Sequence, residues 1–270
     1  MEQVQSDQAD IRQMIFDLKE KVSEPLNKRL GQALSLVENS RLAKEGSFAQ
    51  GTPILPKPYV FVLVGPSGVG KSVLIDRLIS YFLDDFDFIA VLATDPSSSL
   101  GGGALLGDRV RISENEDNEK VFYRSIASRG STKAFSESIP SMLEVLRIFK
   151  VDAVLIETMG VAQQDSSSIA IADTLINILG PSAGDEIQLY KSGILEYGDI
   201  FFMNKSDIDN SDSIYTLLKM KLGQNPKPQV DEFPKVLRGS AVERQGIEEL
   251  YNCIFSHMKK VKKLEAEVNL

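Results

Sequence analysis

Gly65-Pro66-Ser67-Gly68-Val69-Gly70-Lys71-Ser72 is a complete G-x-x-x-x-G-K-[ST] loop, and it follows directly on the apolar run Tyr59 to Val64. Glycines in such a loop let successive backbone N–H groups turn inward around a phosphate, where the next helix also presents the positive end of its dipole. Lys71 is the residue type that neutralises outer phosphates, and Ser72 the type that gives its hydroxyl to Mg²⁺. Val73, Leu74, Leu78 and Ile79 recur at helical spacing behind it, which seats a helix on a sheet. A strand before and a helix after separate a nucleotide-binding loop from an ordinary glycine-rich turn, so Gly65 to Val73 form the candidate phosphate site.

Outward from this loop, short apolar runs alternate with helical patterns, as in a sheet with helices on both faces. Strands are expected at 59–64, 87–93, 119–126, 151–157, 174–180, 199–203 and 234–239. Helices are expected at 71–83, 135–149, 184–196, 209–222 and 246–264. The predicted fold is therefore α/β, a mostly parallel sheet of the P-loop kind, with ligands at the carboxyl ends of its strands. Upstream, Ile11, Met14, Ile15, Leu18 and Val22, then Leu26, Leu30, Leu34 and Val37, keep helical spacing, and Pro25 separates two helices. The expected organisation is an N-terminal helical extension over 1–50, a nucleotide-binding core over 51–245 and a C-terminal helix over 246–270 packed on that core.

Composition narrows the function classes. A net charge of -8 with a pI near 4.9 argues against nucleic acid or an anionic membrane as the main partner. The single cysteine, Cys253, excludes a disulfide framework and a multi-thiolate metal site within one chain. Met1 to Asp7 has neither a basic segment nor an apolar h-region, and no apolar run reaches a membrane span. A cytoplasmic protein is expected. His257, the sole histidine, reads as structural or exposed, and Cys253 as a small core residue.

Further motifs fall at predicted strand ends. The second strand runs into Asp95-Pro96-Ser97-Ser98-Ser99, and a glycine-rich stretch leads to Gly107-Asp108-Arg109. A carboxylate at such a point can bind phosphate-bound Mg²⁺ directly or through water, which makes Asp95 and Asp108 candidates. Strand 151–157 delivers Glu157-Thr158-Met159-Gly160, the Walker B position, with the Gly160 N–H within reach of a γ-phosphate. Gly160 to Ser168 then reads as a switch, with Gln163 and Gln164 considered for orienting water. Asn204-Lys205-Ser206-Asp207 follows strand 199–203. Its aspartate suits guanine, accepting from N1–H and N2–H₂, whereas adenine offers an acceptor at N1 and no N2 donor. Ser240-Ala241, after the last strand, completes the base pocket if the Ala241 N–H meets guanine O6.

Together these strings resemble the MeaB/ArgK-type GTPases, within the SIMIBI class of P-loop NTPases, that accompany adenosylcobalamin-dependent methylmalonyl-CoA mutase. The resemblance runs from about residue 28 to 258. It is carried by Leu34-Ser35-Leu36-Val37-Glu38-Asn39, the phosphate loop, Asp95-Pro96-Ser97-Ser98, Gly102 to Arg111, Glu157-Thr158-Met159-Gly160-Val161, Ala183-Gly184-Asp185-Glu186 and Asn204-Lys205-Ser206-Asp207. It implies that Lys71 and Ser72 bind phosphate and Mg²⁺, that Asp95, Asp108 and Glu157 form the acidic set around the metal, and that Lys191 belongs to a mobile switch that reaches the nucleotide when a partner docks. Read from its own surroundings, Lys191 is an exposed helix lysine. The chain differs from the family's usual strings at Ser131-Thr132-Lys133-Ala134, at Gly160-Val161-Ala162-Gln163-Gln164-Asp165 and at Pro181-Ser182. It stops at Leu270, where relatives continue into a dimerising helical arm; a homodimer stays a candidate assembly, with the short C-terminal arm weighing against the family's own form of it.

The resulting expectation is Mg²⁺-dependent hydrolysis of GTP to GDP and phosphate, in a G-protein chaperone that gates cofactor delivery to, and protection of, an adenosylcobalamin-dependent acyl-CoA mutase. Two alternatives remain at this point. One is a regulatory GTP-binding module with a non-cobalamin partner. The other is a nickel-delivery GTPase, which would need cysteine or histidine ligands near the switches, whereas Cys253 and His257 both fall in the last predicted helix.

Overall fold

The computed structural model describes residues 2–39, 55–95, 115, 117–127, 138–158, 170–181, 198–208, 211–224 and 234–268. Among these, the strands are β1 (Tyr59–Val64), β2 (Ile89–Asp95), β3 (Val121–Ala127), β4 (Ala153–Glu157), β5 (Thr174–Leu179), β6 (Ile200–Met203) and β7 (Lys235–Arg238). They form one sheet in the order β3-β2-β4-β1-β5-β6-β7, and every adjacent pair is parallel. All seven expected runs are strands, with ends displaced by up to two residues. β1 is central, flanked by β4 and β5, and Phe61, Val62 and Leu63 are fully buried. Burial on both faces is why a parallel strand reads as a continuous apolar run instead of an alternating one.

Parallel neighbours need crossovers, and these carry helices onto both faces. The helices are α1 (Glu2–Glu20), α2 (Leu26–Asn39), α3 (Lys71–Asp85), α4 (Ile139–Ile148), α5 (Ser211–Gln224) and α6 (Ile247–Val268). On one face Phe61, Leu63, Leu155, Ile176 and Phe202 share a core with Leu74 and Leu78 of α3 and Leu250 and Ile254 of α6. On the other, Val60, Val62, Ala90 and Val154 pack with Leu30, Leu34 and Val37 of α2 and with Met142 and Leu146 of α4. Farther along this second face, Phe201 and Met203 of β6 meet Ile214 and Leu218 of α5.

The two N-terminal helices are separate, as Pro25 predicts, and both belong to this core. Ile15 of α1 and Leu30 of α2 are fully buried. Arg124 of β3 clamps α2, its Nη1 donating to the Gly31 carbonyl (3.1 Å) and its Nη2 to the Ser35 hydroxyl (3.1 Å) and the Glu38 carboxylate. Met14 and Val22, counted in the apolar pattern, are instead 48% and 80% exposed. The predicted helix 184–196 lies outside the described residues. No helix among the described residues is long and apolar enough to cross a membrane.

Aspartates one residue before three strands hold the amino edge of the sheet. Asp152 Oδ2 accepts from the Phe88 N–H (2.9 Å) and the Asp87 N–H (3.1 Å). Asp173 Oδ2 accepts from Val60 (2.7 Å), and Asp199 Oδ2 from Leu175 (2.8 Å). At this same edge His257 of α6 is buried, with Nδ1 2.9 Å from the Thr174 hydroxyl oxygen and Nε2 3.5 Å from Asp199 Oδ1. Burial lowers its pKa, opposed by the Asp199 carboxylate and assisted by Lys260. Cys253, half-buried on α6, has its thiol pushed up to about 11 by burial, which keeps it protonated and unreactive near neutral pH.

Candidate nucleotide site

At the carboxyl edge β1 hands the chain to the glycine loop. A Cβ at position 65 would stand 2.3 Å from the Ile178 carbonyl oxygen of β5, so only glycine lets the loop leave the sheet there. Gly70 has φ +94°, and a Cβ on it would stand 2.6 Å from Asn204 Nδ2. Both requirements, the left-handed turn and the close approach, select glycine immediately before α3 begins at Lys71.

Lys71 is 5% exposed, and its Nζ donates to the carbonyls of Gly65 (2.9 Å) and Pro66 (3.0 Å). Burial lowers its pKa while the Glu157 carboxylate pulls the other way. An ammonium held against carbonyls at low exposure is weakly solvated, so a phosphate in the loop offers it a stronger partner.

Ser72 Oγ lies 2.9 and 3.1 Å from the two Glu157 oxygens. Sheet register produces this meeting. Leu63 of β1 is paired with Glu157, the last residue of β4, and the Thr158 N–H donates to the Leu63 carbonyl (3.0 Å). On the other side of β4, Glu157 is paired with Ala93, and β2 closes two residues farther on at Asp95. A hydroxyl and a carboxylate in contact beside a phosphate loop are the hard oxygen donors that Mg²⁺ takes, with phosphate oxygens and water filling its octahedron. Among the described residues no three of Asp, Glu, His and Cys group as a metal cage. Asp108, Gly160, Gln163, Gln164 and Lys191 lie outside the described residues, as does the side chain of Asp95.

The N-K-x-D string leaves β6 and reaches back to the phosphate loop. Asn204, 2% exposed, donates from Nδ2 to the Val69 carbonyl (2.9 Å), and its Oδ1 accepts the Ala241 N–H (2.9 Å). Lys205, at φ +61°, donates from Nζ to the Gly68 carbonyl (2.7 Å). Asp207 is exposed on a turn closed by the Ile208 N–H on the Lys205 carbonyl (3.0 Å). Ser240 and Ala241 are buried, and their loop is closed by paired Ser240–Gln245 backbone bonds of 3.0 Å each. The Ala241 N–H, offered to guanine O6 on sequence grounds, is taken here by the Asn204 carboxamide, since a buried N–H requires an acceptor.

The structure thus brings Lys71, Ser72, Glu157, Asn204, Lys205 and Ala241 to one edge of the sheet around the glycine loop. Sequence reading missed the double role of Asn204, which ties the base loop to the phosphate loop. It also missed Arg77, whose Nε donates to the Ala241 carbonyl at 3.3 Å. No motif contains Arg77; its only signal is a position six residues beyond Lys71 on the helix.

The family model described as Methylmalonyl Co-A mutase-associated GTPase MeaB matches residues 30–268. The chain belongs to the MeaB family. Like other MeaB-family proteins it is a GTPase, and it binds GTP and GDP. A Pyrococcus abyssi protein with a provisional GTPase name is 32% identical over 246 residues, covering 90% of this chain and 76% of the relative. The Fused isobutyryl-CoA mutase of Cupriavidus metallidurans is 33% identical over 189 residues, covering 66% of this chain and 17% of that much longer protein. Among solved structures, LAO/AO transport system kinase superposes with a TM-score of 0.64 at 22% identity, covering 96% of this chain and 81% of the other, a likeness of fold.

Proposed function

We propose that this MeaB-family GTPase works with Mg²⁺ as a cytoplasmic G-protein chaperone of an adenosylcobalamin-dependent acyl-CoA mutase, gating delivery and protection of the cobalamin cofactor. The Ser72–Glu157 contact beside the glycine loop carries the hydrolytic half of this reading. The mutase half is supported by the family's description and by the likeness of 66% of this chain to part of a protein named Fused isobutyryl-CoA mutase.

In the reaction a water oxygen bonds to the γ-phosphorus while the bond from that phosphorus to the β–γ bridging oxygen breaks. GDP leaves, and the water proton ends on phosphate or solvent. Such transfer asks for positioning and charge stabilisation more than covalent chemistry. Lys71 exchanges its loop carbonyls for phosphate oxygens, and the backbone N–H groups from Gly68 to Ser72 cradle the β-phosphate. Ser72 and Glu157, whose oxygens are already in contact, would hold Mg²⁺, which would supply positive charge to the phosphates. Asn204 and Lys205 brace the base pocket against the phosphate loop, and Asp207 accepts from guanine N1–H and N2–H₂. Asp95, Asp108, Gly160 and Lys191 complete the site from switch segments that the mutase orders, an assignment resting on the family resemblance.

The test is GTP turnover by the purified protein, alone and with an adenosylcobalamin-dependent acyl-CoA mutase from the same source, with ATP as control. A GTP-only rate that rises about tenfold, roughly 1.4 kcal/mol off the barrier, is the expected result. A flat rate with no complex on a sizing column removes the mutase and leaves a regulatory GTPase with another partner.

A further inference from the structure

Ala241 is held from three directions, and one of them comes from the phosphate helix. Its own loop is closed by the Ser240–Gln245 pair and by the Glu243 N–H on Ser240 Oγ (3.2 Å). From β6, Asn204 Oδ1 takes its N–H. From α3, Arg77 Nε donates to its carbonyl at 3.3 Å. Arg77 is itself oriented: its Nη1 lies 3.2 Å from Asp76 Oδ2, and Asp76 Oδ1 accepts from Asn115 Nδ2 at 3.1 Å. Asn115 Nδ2 donates as well to the Asp76 backbone carbonyl (3.0 Å). Asp76 is 3% exposed and Asn115 7%.

A buried carboxylate is costly unless both its oxygens are paired. Here one oxygen is met by Asn115 and the other by the guanidinium, and the same rigid guanidinium fork then reaches the base loop with its Nε. The helix that begins at Lys71 and Ser72 therefore also fixes the position of Ala241. The two ends of a bound nucleotide would be referenced to one helix.

We propose that Arg77 is a positioning residue for guanine, holding the Ser240–Ala241 loop at a set distance from the phosphate loop, with Asp76 and Asn115 aiming it. The proposal rests on the reading that this loop and Asp207 form the base pocket. It requires Arg77 to act on the base end of GTP and to leave the phosphate end alone.

Arg77→Met is measured for KM and kcat with GTP, and for inhibition by inorganic tripolyphosphate, which engages only the phosphate end. The expected result is a KM raised about tenfold, kcat within about twofold and an unchanged tripolyphosphate inhibition constant. Because Arg77→Met leaves Asp76 without its cation, the double variant Asp76→Asn/Arg77→Met is run beside it; restored thermal stability with KM still raised separates loop positioning from a general loss of structure. Asn115→Ala is expected to shift KM in the same direction by a smaller factor. A KM unchanged in both Arg77 variants overturns the proposal, as does a loss of tripolyphosphate binding equal to the loss of GTP binding. Asp207→Asn, assayed with GTP and xanthosine triphosphate, tests the underlying pocket by itself. If xanthosine triphosphate is accepted there while Arg77→Met is silent, the pocket stands and Arg77 fails. If GTP affinity survives Asp207→Asn, the pocket assignment falls and the proposal with it.

Discussion

At the amino edge of the sheet Asp152, Asp173 and Asp199 each commit a carboxylate oxygen to backbone N–H groups at the start of a neighbouring strand, with donors 2.7 to 2.9 Å away for Phe88, Val60 and Leu175. At the carboxyl edge Glu157 turns its oxygens to the Ser72 hydroxyl, and Asp207 stands exposed on a turn. The residue type is nearly the same, and the partner differs. A backbone N–H at a strand start cannot leave its acceptor without disturbing the sheet, so those carboxylates are fixed by folding. A hydroxyl can rotate and give way to a cation. Asp152, Asp173 and Asp199 are therefore structural, whereas the Ser72 hydroxyl that Glu157 meets is a partner that a ligand can replace.

Lys71→Ala tests the carboxyl edge and carries the largest expected effect. It removes the cation that we propose meets the phosphates, and GTP turnover should fall by at least about 10²-fold. The sheet should survive, because burial already disfavours this charge and the helix keeps its apolar seat. Far-ultraviolet circular dichroism alongside the assay checks both points. Hydrolysis at the wild-type rate would place the chemistry at a different site and break the comparison.

Asp173→Ala tests the amino edge. The Val60 N–H, in the central strand and 6% exposed, loses its carboxylate acceptor. A buried donor left in this way costs on the order of 1–3 kcal/mol, read as a lowered midpoint of thermal or urea unfolding. KM and kcat at 25 °C should stay at wild-type values, since a strand of six residues puts the edges roughly 20 Å apart. An altered KM with an unaltered midpoint would mean that the amino edge carries function as well.

This division was only half legible in the sequence. All seven strands were; the five between the edge strands β3 and β7 read as apolar runs because a parallel strand inside a covered sheet is buried on both faces. The glycine loop and the N-K-x-D string were legible too, as both need particular residue types at particular spacing. In Asp152-Ala153-Val154-Leu155-Ile156-Glu157 two acids bracket one strand; Glu157 is expected at the site from its place at the carboxyl end, but nothing local marks Asp152 for the backbone bonds it accepts. Strand direction makes the distinction: with every pair parallel, Asp152 lies at the closed edge and Glu157 beside the loop. Contacts that join distant segments left no mark at all. Arg77 and Ala241 are separated by 164 positions, and Asn204 meets Val69 across 135. Exposure was equally hidden at Met14, which keeps helical spacing yet is 48% exposed, and at Val22, which lies in the turn beyond the end of α1 and is 80% exposed.

His257 gives the finest probe of the amino edge, with the smallest expected effect. It is packed against Thr174 and Asp199, with Lys260 one turn farther along α6. Burial depresses its folded-state pKa below the unfolded value, and the Asp199 carboxylate offsets this only in part. The unfolded chain thus takes up the proton first as pH falls. The stabilisation from keeping the ring neutral is complete above about pH 6.5 and is lost as pH drops through that region toward the folded pKa. His257→Gln removes the titration and keeps a polar side chain. Between pH 8 and pH 5.5 the wild-type unfolding midpoint should therefore fall by more than that of His257→Gln, while GTP turnover of the two proteins follows the same pH profile. Equal falls in midpoint would show that the Asp199 carboxylate fully offsets the burial of the charged ring, so that protonating His257 leaves this edge no less stable.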